Sequence, residues 1–174
     1  MTGNIQYDAR KIFRHACAFA DCASFCEKEP NSIIVRTQWY TIPDIANSAF
    51  ACEVFIKSLL IWNGMSIEEV KKYGHGLKRL WDALLLVDEE IANHVKLSVL
   101  CIYSHPSDAF FEKAISDISN AFYEWRYIYE GNGEKVNLQF LRLFRDALRE
   151  VCCKELYNIS WTEYSKGNEY GKNR

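Results

Sequence analysis

Apolar residues return every third or fourth position through most of this chain, and that period admits helices and little else. Ile5, Ala9, Ile12, Phe13, Ala16, Phe19, Ala20 and Ala23 hold the pattern from residue 4 to about residue 29, where Pro30 stops it. Pro43 and Asp44 read as the opening of a second helix running to Trp62, because proline is preorganised for a first turn and an acid there complements the helix dipole. The β-like run Ile33–Arg36 has no strand partner downstream, so 31–43 reads as a loop. Ser66 and Glu69 form a capping box before a short helix to Tyr73, the Gly74-His75-Gly76 turn follows, and Leu77, Leu80, Trp81 and Leu84 face one way on the next short helix.

The period continues from Asp88 to about Tyr103. It then runs as one stripe from Ser107 to Glu130, and finally from Val136 to about Tyr157. The reading is an all-α fold, an antiparallel bundle of four long helices with shorter ones around them. A single domain over 1–160 is expected, with 161–174 as a polar C-terminal tail.

A chain of 174 residues buries a sizeable core without staples. Its net charge of −2 argues against nucleic-acid binding through a bulk positive field and leaves that role to a local basic patch. Seven cysteines, at 17, 22, 26, 52, 101, 152 and 153, mostly fall in apolar helical patterns and read as reduced thiols. No uninterrupted apolar run reaches the roughly 18 residues of a membrane span, and the first residues have no signal-like apolar core, so a cytoplasmic protein is expected.

Two charges interrupt the apolar run FACEVFIKSLLIW. Glu53 and Lys57 lie four residues apart on one face, either as a structural ion pair or as the polar floor of a cleft. His75, presented between two glycines, can cap a helix, hydrogen-bond Glu53 or donate a proton, and Arg79 adds a cation one turn later. In FYEWRYIYE, Arg126 sits at the edge of the apolar stripe with Glu130 a turn beyond. Tyr123 and Tyr127 occupy the opposite side, the pattern of a subunit interface more than of a base-stacking platform. Together Glu53, Lys57, His75, Arg79, Arg126 and Glu130 make the candidate polar cleft, with His75 and Arg126 as the candidate catalytic pair. No cysteine or histidine cluster has zinc-site spacing, and no phosphate-loop, dinucleotide, zinc-protease or hydrolase signature occurs, so neither a metal nor a cofactor is expected.

ACEVFIKSLL followed by GHGLKRLWDAL resembles the HEPN superfamily pattern E-x-x-x-K-x-L-L and then H-x-L-x-x-L, here Glu53, Lys57, Leu59, Leu60, His75, Leu77 and Leu80. FYEWRYIYEG resembles an aromatic Trp-Arg-Tyr segment of some members, and the resemblance spans roughly residues 44–150. It implies a helical bundle, a homodimer, a ligand that is RNA or a nucleotide, and a place in a bacterial defence or toxin–antitoxin system beside a partner such as a nucleotidyltransferase antitoxin. Ribonucleases of the superfamily carry an Arg, four to six residues, then a His. The only match here is Arg10 to His15, early in the chain and about 140° apart around a helix. The expectation is therefore a non-catalytic HEPN-like binding module, with a divergent metal-independent ribonuclease and a purely structural helical adaptor as the alternatives.

Overall fold

The computed structural model describes residues 2–28, 34–104, 106–130 and 135–167. Nine α-helices occur among them: α1 (Thr2–Lys28), α2 (Ile34–Trp62), α3 (Ile67–Lys71), α4 (Leu77–Val87), α5 (Glu89–Leu100), α6 (Asp108–Asp117), α7 (Ala121–Arg126), α8 (Leu138–Tyr157) and α9 (Trp161–Lys166). No strand occurs among the described residues, so the fold is all-α as the periodicity requires. The centre is α2, which packs along α1 and also meets α8, α7 and α4. Its segment Tyr40–Trp62 is long and apolar enough to cross a membrane by composition, yet two-thirds of that window is buried inside the fold, as befits a core helix.

Local chemistry sets most of the boundaries. Ser66 accepts from the Glu69 amide while Glu69 reaches back to the Ser66 amide, so the expected capping box is present. Asp88, Ser107 and Asn137 each accept an amide at the start of α5, α6 and α8, which places those starts within a residue or two of the expected ones. Gly74, with φ of 66°, supplies the left-handed residue that the turn before α4 requires.

Three expectations are corrected. Residues 34–43 are helical rather than a loop, and Pro43 lies inside α2 instead of opening it. A proline interior to a helix removes one donor to the carbonyl four residues back, and the long contact of α2 with α1 outweighs that loss. The stripe from Ser107 to Glu130 is not one helix: it breaks between Asp117 and Ala121, and after α7 only a 3-10 turn, Ile128–Glu130, follows. The break has a tertiary cause, since the Ser119 carbonyl and hydroxyl accept the Leu77 and Lys78 amides and thereby cap α4. With that stripe divided, the long helices among the described residues are α1, α2 and α8. Finally, 161–166 is helix α9 and not tail, with its own Ser160–Glu163 capping box and a buried Tyr164 that packs on Phe13. The rest of the expected tail, 168–174, lies outside the described residues.

One core holds these elements together, with Phe13, Phe55, Trp81, Phe111, Phe140 and Phe144 among its fully buried side chains. Four of the cysteines, Cys17, Cys52, Cys152 and Cys153, are buried free thiols within it. Burial pushes Cys153 up to about 12 from an ordinary value of 9.0 and drives Cys17, Cys52 and Cys152 higher still. An unfolded chain ionises these thiols near pH 9, while the folded one keeps them protonated to about pH 12, so stability is complete below 9 and falls as pH rises through that window. The loss reaches about 1.4 kcal/mol per pH unit for each such thiol. Urea midpoints at pH 8, 9 and 10 are expected to fall, and Cys52→Ala to flatten the decline.

Candidate functional site

Glu53 lies in the C-terminal half of α2, where helices cover it on most sides, and it is 1% exposed. A carboxylate in that position needs partners, because an unpaired buried charge costs several kcal/mol or neutralises itself. Two are supplied. Lys57, one turn on, places Nζ 2.7 Å from Glu53 Oε1. His75 places Nδ1 3.0 Å from both carboxylate oxygens, so the pair picked out in the sequence and the histidine of the glycine turn do converge. Carboxylate oxygens only accept, so the hydrogen-bond network assigns the shared hydrogen to Nδ1.

The imidazole is not enclosed: its side chain is 61% exposed, and one face lies 5.5 Å from the Phe122 ring. Phe122 belongs to α7 and stacks on Phe50 of α2 at 4.7 Å, and Phe50 meets Phe19 of α1 edge-on at 4.6 Å. Arg126 lies with its guanidinium carbon 5.7 Å from the Phe122 centroid and 5.1 Å from that of Tyr127. Tyr127 in turn lies 5.3 Å from Tyr123 and 6.3 Å from Tyr129, both exposed. The result is a row of rings with one guanidinium among them, from His75 through Phe122, Arg126 and Tyr127 to two exposed tyrosines.

Arg79 is exposed and makes no ion pair among the described residues. With Met65, Glu69, Lys72 and Tyr73 it lines a surface pocket of about 220 Å³ at the turn that carries His75. Its side chain folds back along that turn, with Cδ 3.8 Å from where a Cβ on Gly76 would stand. Glu130 is the one candidate the structure does not place, because its side chain lies outside the described residues. No group of three or more His, Cys, Asp or Glu among the described residues is arranged to hold a metal ion.

Arg10 and His15 do not form a site. Arg10 donates from Nε and Nη2 to the Leu156 carbonyl at 3.1 and 2.8 Å, where a cation complements the C-terminal end of α8, and it also lies over the Trp62 and Tyr157 rings. His15 is exposed on another face of α1.

A second polar centre escaped the sequence reading. Arg145 of α8 is 1% exposed, donates to Ser48 Oγ at 3.0 Å and to Asp146, and lies 3.3 Å from Glu27. Asp44 beside Ser48 is equally buried, accepting from Ser48 at 3.1 Å and from Arg142 Nε at 3.0 Å. Burial opposes the Arg145 charge, but Asp146 and Glu27 outweigh it and hold its pKa above the ordinary arginine range. A signal for it does exist: Leu141, Arg145, Leu148 and Cys152 follow the core spacing of α8, so Arg145 occupies an apolar slot. Asp44 carried no such signal, since after a proline it reads as a helix start.

Comparison with protein-family models, with curated protein sequences and with solved structures finds no match for this chain. The functional reading therefore rests on the geometry and on the residues that carry the resemblance.

Proposed function

We propose that this chain is a HEPN-like helical module that binds RNA or a nucleotide on the face bearing His75, Phe122, Arg126 and Tyr127, and that it does so without cleaving its ligand. The observation that carries the reading is the placement of Arg126 over two rings in a row that begins at His75 and ends at exposed tyrosines. Bases stack on such rings whatever their identity, and a guanidinium beside them answers the phosphate. Lys72 and Arg79, which line a pocket with Glu69 at the turn that carries His75, add cations beside that turn to an overall balance of −2. Arg10, held on the Leu156 carbonyl at the end of α8, does not converge with His15 on a phosphate, which supports binding without cleavage by that pair. Membership of a bacterial defence or toxin–antitoxin pair, a cytoplasmic setting, a homodimer formed away from this face, and a nucleotidyltransferase-type partner belong to the same proposal and draw on the resemblance.

Fluorescence anisotropy with a short labelled single-stranded RNA tests it. Arg126→Ala is expected to weaken binding by roughly tenfold, the scale of one lost stacking contact, and binding is expected to fall as salt is raised. Equal affinity of the two proteins, or no binding at low salt, removes the proposal; a monomer at tens of micromolar by sedimentation, roughly the range where dimers of standard interface size persist, removes its dimer.

The Glu53–His75 pair favours one second reading, a divergent metal-independent ribonuclease in which His75 moves the proton and Arg126 or Arg79 steadies the phosphate. Total RNA incubated with wild type and with His75→Ala decides between them. Cleavage by wild type alone establishes the ribonuclease, whereas intact RNA in both samples eliminates it.

A further inference from the structure

The His75 side chain is held in an arrangement that RNA binding does not require. Its Nδ1 faces both oxygens of a buried carboxylate at 3.0 Å, while the ring is 61% exposed. Glu53, already paired with Lys57 at 2.7 Å, accepts the hydrogen on His75 Nδ1, so the neutral form of the ring that fits there is the Nδ1–H tautomer. That tautomer leaves the lone pair on Nε2, on the side of the ring away from Glu53. A carboxylate that fixes an imidazole in one tautomer and steadies the cation formed at its far nitrogen is the device that makes a histidine an effective base or nucleophile. Arg79 folds along the turn that carries His75, and Arg126 lies over the Phe122 ring that His75 also meets. α4 begins two residues after His75, and the positive end of an 11-residue helix lies at that turn.

The geometry points to His75 Nε2 as a phosphoryl acceptor, a modification site whose donor is a phosphoramidate, the class that also includes a phosphohistidine on another protein. In the step, the Nε2 lone pair attacks phosphorus and a P–N bond forms. The donor nitrogen carries a positive charge, as the ammonium form of phosphoramidate or the ring of a phosphohistidine, so when its P–N bond breaks the electron pair leaves on a neutral amine or imidazole. Nδ1 keeps its proton, the ring takes up one positive charge opposite Glu53, and the phosphoryl group keeps its two negative charges. No metal, oxidant or reductant enters the balance. This inference is independent of RNA binding and of ribonuclease activity, and its test involves no nucleic acid.

The chain contains its own controls. His15 and His94 are exposed, and neither ring is held by a hydrogen bond or ion pair among the described residues. Wild-type protein is incubated with potassium phosphoramidate at neutral pH, and the time course is followed by peptide mass spectrometry under alkaline handling and by phosphorus NMR. His75 is expected to acquire an acid-labile phosphoryl group roughly tenfold faster than His15 or His94. Glu53→Gln, whose amide can turn a donor toward Nδ1 and so unset the tautomer, is expected to slow His75 alone by roughly tenfold. Equal rates at the three histidines of the wild type, or a His75 that remains unmodified while the others react, overturns the assignment. That comparison needs no variant, so it holds even if Glu53→Gln fails to fold.

Discussion

Asp44→Ala is expected to destabilise the fold by about 3–5 kcal/mol, the cost of breaking a buried ion pair by removing one partner. Asp44 gathers α2 and α8: it accepts from Ser48 within its own helix and from Arg142 across the interface, and Arg145 Nη1 lies 3.9 Å away. Removing the carboxylate leaves the Arg142 guanidinium without its shortest contact. It also leaves a 1% exposed Arg145 with Glu27 and Asp146 as its charged partners, both of them near the surface. Urea denaturation followed by circular dichroism gives the change in midpoint. The double variant Asp44→Ala with Arg145→Met is expected to recover much of the loss, because apolar replacement of a whole buried pair is often neutral. A single-variant loss below about 1 kcal/mol, the range of exposed pairs, would show that water reaches this network in solution.

Phe13→Ala is expected to cost a similar amount, about 3–5 kcal/mol, through lost burial and the cavity left behind. Phe13 is fully buried on α1, and its ring meets Phe55 of α2, Tyr157 of α8 and both Trp161 and Tyr164 of α9, at centroid distances of 5.6 to 6.4 Å. It thus joins α9 to the core, together with Tyr157 of α8, whose ring lies 4.7 Å from that of the buried Tyr164. Arg149 also lies over the Trp161 ring at 4.6 Å, and Glu150 accepts the Trp161 amide. Hydrogen exchange distinguishes the two parts of the effect, since amides of 161–166 should lose protection before those of α2 and α8 do. If α9 keeps its protection in Phe13→Ala, Tyr157 and the surface contacts hold the helix and Phe13 is only a core residue.

Much of the candidate site was legible in advance because its parts are local. Glu53 and Lys57 are four residues apart, and two charges in an otherwise apolar helix announce a partner; His75 stands between glycines, one of which has the positive φ that the turn needs. Their meeting spans 22 residues, the short helix α3 and a turn on either side of it. The aromatic row was only half visible. Tyr123 and Tyr127 read as an outer face on a continuous helix, whereas α7 is a separate short helix whose Phe122 is turned onto Phe50 and His75.

What the amino-acid order determined by itself is what depends on neighbours in the chain. The helical period specifies each apolar face, and serine, aspartate and asparagine at helix starts satisfy amides three residues on. Tertiary structure decided what depends on residues far apart. Ser119 ends one helix because it caps another that begins 42 residues earlier, at Leu77. Pro43 stays inside α2 because α1 packs along it, and Asp44 finds its arginine partner 98 residues away. A charge pair at that separation leaves no periodic trace, since its favourable energy exists only once the helices that bring it together have packed.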